Sequence, residues 1–319
     1  MPIHPQMQTF LDMLVASQLP PYEESTVSAA RDRMEAIAML EAPADSVAEV
    51  RDLTIPSPQG DIPLRLYHPQ PGQTLSALLY FHGGGWVIGS ISSHDRLCRA
   101  IASSAGCAVI SVGYRLAPEH KFPAAVIDSD AAFRYVIEHA AALGIDAHHV
   151  AVGGDSAGGN LAAVVSLHAK AAGGIQPKAQ VLLYPALAGA EVTESKKLFA
   201  NGYLLTAGAM KFFSEHYLRS AEDLRNPDAA PSLAADLSGL PNAYILTAEF
   251  DPLRDEGEAY AAQLHQAKVP VTLRRWDGMI HGFLQLTGIA PAARGAIAEL
   301  ASWLRTALLR VSVQKAAIE

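Results

Sequence analysis

The stretch Gly154-Asp155-Ser156-Ala157-Gly158 constrains this chain more than any other, because of what flanks it. Before it, His149-Val150-Ala151-Val152-Gly153 reads as a short buried strand. After it, Gly159-Asn160-Leu161-Ala162-Ala163-Val164-Val165 reads as the opening of a buried helix. A G-x-S-x-G run between strand and helix is the pattern of a nucleophile elbow. Such a turn is too tight for bulky neighbours, which accounts for the glycines. It lifts the Ser156 hydroxyl off the end of a sheet, beside the amides of a helix N-terminus. The bland alternative is an ordinary glycine-rich strand-to-helix turn, and the rest of the chain decides between the two.

That remainder alternates strand and helix signals. Apolar, β-branched runs at 47–55, 62–67, 77–81, 108–112, 179–184, 243–248 and 271–276 predict strands. Helical periodicity covers 6–16, 25–40, 94–105, 123–142, 253–267 and 290–309, with Pro20-Pro21 parting the first two. The alternation predicts an α/β fold with a mostly parallel central sheet flanked by helices on both faces. The first two strands meet through a turn-rich loop at 56–61, so that edge is expected to be antiparallel. Residues 186–225 break the pattern with a helical patch at 210–218 and no clear strand. An insert after a sheet strand sits over the sheet's C-terminal end, where ligands bind. The expected organisation is a helical cap made of 1–45 and the insertion 186–225, over a catalytic core made of 46–185 and 226–319. The alternative leaves the N-terminal helices on the flank of the domain. Pocket size is expected to depend on Phe199, Leu204, Leu205, Phe212 and Phe213 of the insertion.

Composition narrows the function. The chain's 319 residues suffice for one large domain, and 50% hydrophobic with 18% charged residues marks a globular chain. A net charge of −8, with no Lys/Arg cluster, argues against a nucleic-acid footprint. Cys98 and Cys107 sit in apolar surroundings and read as small core residues, and no Cys/His spacing suggests a metal site. No apolar run reaches the roughly 18 residues of a membrane span. The start, Met1-Pro2-Ile3-His4-Pro5-Gln6, lacks the features of a signal peptide, so a soluble, cytoplasmic protein is expected.

A serine hydroxyl is a weak nucleophile at neutral pH and needs a general base, and an imidazole base needs an orienting acid. In this topology the order along the chain is Ser, acid, His, with the partners after later strands. Asp251, just past the strand at 243–248, fits the acid; Glu249 and Asp255 are rival carboxylates, and helix capping is its simpler role. His281, past the strand at 271–276 in a bent loop between Gly278 and Gly282, fits the base. Phe81-His82-Gly83-Gly84-Gly85-Trp86 leaves backbone N–H groups unshielded, as an oxyanion-binding loop requires, with the amide of Ala157 as partner. These glycines lack Walker or dinucleotide spacing. His82 reads as structural, Asp155 as a prop for the oxyanion loop, and Tyr114-Arg115-Leu116-Ala117-Pro118-Glu119 as a support whose charges pair with each other or with the cap.

With these residues assembled, the chain resembles the bacterial hormone-sensitive-lipase-like carboxylesterases of the α/β-hydrolase superfamily. The resemblance rests on His82-Gly83-Gly84-Gly85-Trp86, Tyr114 to Glu119, Gly153 to Gly159, Asp251-Pro252-Leu253-Arg254-Asp255-Glu256 and His281-Gly282-Phe283, and it covers nearly the whole chain. It implies an α/β-hydrolase fold with a helical cap, Ser156 as nucleophile, His281 as general base and Asp251 as its orienting acid. It implies oxyanion donors from the backbone of Gly84, Gly85 and Ala157, no metal and no cofactor. The implied reaction is hydrolysis of short- to medium-chain acyl esters through an acyl-enzyme. Many members are homodimers joined through an edge strand, here 271–276. An amidase or lactonase would use the same triad, and a non-catalytic receptor of this fold would lack the histidine that His281 supplies.

Overall fold

Among the residues described by the computed structural model, 2–57 and 59–309, nine α-helices surround one eight-stranded sheet. Met1, Pro58 of the expected hairpin loop and residues 310–319 of the expected core lie outside the described residues. In chain order the elements are α1 (Pro5–Ala16), α2 (Val27–Ala38), β1 (Glu49–Ile55), β2 (Ile62–His68), β3 (Leu75–Phe81), α3 (Asp95–Ala105), β4 (Ala108–Val112), α4 (Ala124–Glu138), β5 (Ile145–Asp155), α5 (Ala157–Ala172), β6 (Ala179–Leu183), α6 (Glu194–Leu198), α7 (Ala207–Tyr217), β7 (Asn242–Phe250), α8 (Arg254–Gln266), β8 (Val271–Ile280) and α9 (Pro291–Ala307).

The strand order is β1-β2-β4-β3-β5-β6-β7-β8. The β1–β2 hairpin is antiparallel, as the short loop predicts, and β2 lies antiparallel to β4. From β4 to β8 every neighbour is parallel. Successive strand residues point to opposite faces. Leu79, Ile110, Val152 and Leu182 share one core with α4, α5 and α8. Leu78, Tyr80, Val109 and Val181 share the other with α1, α3 and α9. The central strands are therefore apolar on both faces, which explains their unbroken hydrophobic runs. Each fully buried large side chain contributes about 2 kcal/mol to the fold.

Two elements depart from expectation. The helix predicted over 123–142 stops at Glu138, and the chain tightens into a 3-10 turn at Ala140–Leu143 before Gly144. The strand predicted over 271–276 does not give way to a loop at Asp277-Gly278 but continues to Ile280. A register shift between Ala248 and Phe250 keeps β7 and β8 paired out to Phe250 and Ile280. The polar groups of Gly278 are satisfied in place: its N–H donates to Glu249 Oε2 (2.7 Å), and its carbonyl accepts from the His4 N–H (2.9 Å).

The insertion is pinned at both roots to the helix that follows Ser156. The Asn160 side-chain amide donates to the carbonyls of Ala186 (2.8 Å) and Ala229 (2.9 Å). Within the insertion, Thr206 caps α7 by accepting from the Ala209 N–H. α2 is tied down by Arg31, which forks onto Glu119 (2.9 and 2.7 Å) and also donates to the carbonyls of Val87 and Ala117. The acid of the Tyr114–Glu119 motif thus holds an N-terminal helix, while its Arg115 pairs with the buried Asp128 (2.7 Å). α1 instead packs beside β8, burying Met7, Phe10 and Leu11. Among the described residues, no helix is long and apolar enough to cross a membrane.

Candidate active site

The turn from β5 into α5 puts Ser156 at φ 55° and ψ −117°, outside the regions a serine ordinarily prefers. The surroundings hold it there. Its N–H donates to the Leu183 carbonyl (2.8 Å), and its own carbonyl accepts from the N–H groups of Asn160 and Ala186 (3.2 Å each). Two glycines are required by close approach: a methyl group at Gly154 or at Gly158 would overlap the carbonyl of Phe81 at the end of β3.

His281 follows β8 directly. Its Nε2 lies 3.0 Å from Ser156 Oγ and its Nδ1 lies 2.8 Å from Asp251 Oδ2. A carboxylate can only accept, so Nδ1 carries the proton donated to Asp251 and Nε2 is left to accept from the serine hydroxyl. Asp251 is fully buried, and its other oxygen accepts from the Leu253 N–H (2.8 Å), which fixes the carboxylate at the start of the segment leading into α8. The simpler capping role is not what the structure shows, because the N-cap of α8 is Leu253 and no side chain caps that helix. The Tyr184 ring packs edge-on against the imidazole, with centroids 4.9 Å apart. The rival carboxylates are engaged elsewhere. Glu249 accepts from Gly278, whereas Asp255 accepts from the Ser195 N–H (2.7 Å) and pairs with Arg254 (2.9 Å).

The glycine loop after β3 is anchored by Asp155, whose Oδ1 accepts from the Gly83 N–H (2.9 Å) and the Tyr80 hydroxyl (2.7 Å). Burial pushes the Asp155 carboxyl up, but the charge of His94 and hydrogen bonds from His94 and Tyr80 outweigh it and hold the group below its ordinary value. Burial likewise pulls His94 down, and Asp155 more than reverses that. The two lie 3.3 Å apart beneath the loop, at ion-pair distance. His82 is the opposite case: burial and the nearby His94 lower it to about 3, so it stays neutral. Its Nδ1–H donates to the Gly83 carbonyl (2.8 Å), and its carbonyl accepts from the Tyr114 hydroxyl (2.7 Å). Gly84 adopts φ 114°, where a side chain would also overlap the Ile88 carbonyl.

Gly84, Gly85, Ala157, Ser156 and His281 line a single cavity of about 200 Å³. Its walls come from Met34 and Ile37 of α2, from Tyr22 before it, and from Leu204, Leu205, Met210 and Phe213 of the insertion. Two side chains expected there lie elsewhere: Phe199 packs on Tyr203 and Phe250, and Phe212 packs on His216 and Phe213. Sequence reasoning passed over His94, Asn160 and Tyr80 beneath the turn, and Lys196, Tyr217 and Gln285 in the wall. Asn160 had a signal, a polar side chain opening an otherwise apolar helix; the others had none. Among the described residues, no group of three His, Cys, Asp or Glu side chains could hold a metal ion.

Comparison with known proteins shows the family. The sequence profile of the alpha/beta hydrolase fold family matches residues 78–285. The chain belongs to the α/β-hydrolase family. This hydrolase is 44% identical over 294 residues to the carboxylic ester hydrolase LipN of Mycobacterium tuberculosis, covering 90% of this chain and 78% of LipN. It is 37% identical to an arylesterase of Saccharolobus solfataricus, covering 89% of this chain and 93% of that protein. An ester-hydrolase from the metagenome of Lake Arreo, solved with a bipyridine phosphonate derivative, superposes with a TM-score of 0.93 at 40% identity, covering 95% of this chain and 98% of that one. With relatives at 37–44% identity over most of its length, the hydrolase is a carboxylic ester hydrolase.

Proposed function

We propose that this esterase cleaves short- to medium-chain acyl esters with Ser156 as nucleophile, His281 as general base and Asp251 as the acid that orients it. The observation that carries the reading is the unbroken line from Asp251 Oδ2 to His281 Nδ1 (2.8 Å) and from His281 Nε2 to Ser156 Oγ (3.0 Å), at the wall of the cavity. His281 takes the hydroxyl proton as Oγ bonds to the acyl carbon. The carbonyl oxygen becomes an anion held by the N–H groups of Gly84, Gly85 and Ala157, the last at the positive end of α5. Collapse breaks the bond to the alcohol, which leaves with the proton from His281. Water then gives a proton to His281 as its oxygen bonds to the acyl carbon, and the Oγ–carbon bond breaks to release the acid while His281 returns the proton to Ser156 Oγ. Asp251 keeps its charge throughout and supports the imidazolium.

In this reading the N-terminal segment 1–45 and the insertion 186–225 are a cap over a core of 46–185 and 226–319. Supporting it, α2, Tyr22 and the insertion all contribute cavity wall. A cavity of about 200 Å³ suits short or medium acyl chains. The outer edge of β8 is a further part of the proposal, as the seam of a homodimer; an unpaired edge strand is a template for pairing with a second copy.

The test is initial rates on p-nitrophenyl esters of increasing acyl length, with Ser156→Ala as control. The expected result is a peak at short to medium lengths and a loss of roughly 10⁴- to 10⁶-fold in kcat in the variant. Retention of more than about a tenth of the wild-type rate contradicts the assignment.

A further inference from the structure

Lys196 of α6, together with Glu256, lines a cavity whose wall is otherwise mostly apolar. It lines the same cavity as Ser156, and its side chain is only 14% exposed. Nζ lies 2.6 Å from Glu256 Oε2 and donates to the Glu191 carbonyl at 2.8 Å. An ammonium has three donors. No third partner is present among the described residues.

Glu256 is tied to the catalytic turn. Its Oε1 accepts from the N–H groups of Leu187 (2.6 Å) and Ala188 (3.4 Å), in the segment leaving β6. The residue before them, Ala186, donates its N–H to the Ser156 carbonyl (3.2 Å). The ammonium is thereby held in a fixed relation to the nucleophile. With the Glu256 carboxyl 2.6 Å away, the ammonium is not a lone cation that gathers free anions. It leaves one charge-assisted donor in a poorly solvated wall, where such a bond is strong. Stability alone is a weak reason for the pair, since a well-packed apolar pair of similar volume commonly serves as well.

We propose that Lys196 is a substrate-recognition residue, favouring esters whose acyl or alcohol chain carries an oxygen acceptor (an ether, ketone or hydroxyl) over hydrocarbon chains of equal length. This rests on the reading of Ser156 as the nucleophile. A site with a placed donor discriminates strongly against an analogue that lacks the acceptor, because the donor is then left unmet.

The experiment compares matched esters in which oxygen replaces one methylene. On the acyl side these are p-nitrophenyl hexanoate with 4-methoxybutanoate and octanoate with 6-methoxyhexanoate. On the alcohol side they are hexyl acetate with 3-ethoxypropyl acetate. Values of kcat/KM are divided by the uncatalysed hydrolysis rate of each ester. In the wild type, at least one ether is expected to match or exceed its alkyl partner. In Lys196→Met that ratio should fall by about tenfold, and in Lys196→Gln, which keeps a neutral donor, by less. A wild-type ratio below about one third in every pair overturns the proposal without any variant. So do ratios that Lys196→Met leaves within about twofold while it melts like the wild type. Turnover that persists in Ser156→Ala overturns both readings; unchanged ratios with Ser156-dependent turnover overturn the role of Lys196 alone.

Discussion

The carboxylate of Asp155 accepts the backbone N–H of Gly83 at 2.9 Å, so the residue before the nucleophile also holds the loop that faces it. The same oxygen takes the Tyr80 hydroxyl, and His94 lies at ion-pair distance. Asp155→Asn keeps the shape but removes the charge that His94 answers. The expected outcome is a loss of about 3 kcal/mol in urea unfolding, the usual result of removing one partner of a buried pair. A fall in kcat with little change in KM should accompany it, because a displaced loop weakens the stabilisation of the oxyanion more than the binding of the ester. A variant with wild-type stability would remove Asp155 from this role.

The turn and its neighbours were legible in the sequence because their chemistry leaves few choices. Gly154 and Gly158 abut the Phe81 carbonyl, and no other residue type fits there. His281 could be placed from chain order, since it follows a parallel strand of the same sheet, whereas for the acid chain order only narrows the choice to Glu249, Asp251 and Asp255. What could not be read depended on contacts between distant segments. β8 runs through Asp277-Gly278 because Glu249 and His4 satisfy the glycine, and local pattern contains neither. Choosing among Glu249, Asp251 and Asp255 needs the partners of each, and those come from Gly278, His281 and Ser195. Which insertion side chains reach the cavity depends on how 186–225 lies across the sheet. Leu204 and Leu205 line the cavity, while the nearby Phe199 packs edge-on against Tyr203 outside it.

His168, on the nucleophile helix α5, ties it to two other segments. Its Nδ1 lies 2.6 Å from Asp130 of α4, and its Nε2 lies 2.8 Å from Asp228, just past the insertion. Hydrogen bonds to Asp130 and then Asp228 raise its pKa from 6.5 to about 10, against a smaller effect of burial. A raised histidine pKa adds stability that is fully present below the unfolded value and declines as pH rises to the folded one. His168→Gln is therefore expected to be less stable than wild type near pH 6.5, by about 1 kcal/mol after allowance for solvent screening at this half-exposed site. The gap should close by about pH 10. Urea midpoints of both proteins from pH 6 to 10.5 measure it, and a gap independent of pH would contradict the account.

Glu41, just past α2, carries the opposite kind of shift. Its carboxyl is buried, with Oε1 unpaired among the described residues. Burial raises its pKa from 4.5 to about 8, only partly offset by His94 and Arg96. The folded state thus holds a proton that the unfolded state has released, so stability falls as pH rises from about 4.5 through 8. Glu41→Gln, neutral at every pH, should match the wild type near pH 4.5 and exceed it by about 2 kcal/mol at pH 9. Thermal unfolding at the two pH values is sufficient; equal differences at both would show that Glu41 ionises normally.

The central claim is that the Ser156 hydroxyl attacks the ester carbon, and covalent capture tests it most directly. A p-nitrophenyl alkylphosphonate offers phosphorus in place of the acyl carbon. Attack by Oγ forms an O–P bond and expels p-nitrophenolate, which leaves a stable adduct on the attacking residue. Peptide mass analysis of the inactivated enzyme is expected to show one phosphonyl group per chain, on the peptide containing Ser156, with p-nitrophenolate released in equal amount. Inactivation with the label on any other residue, or continued turnover by protein fully labelled at Ser156, would contradict the account.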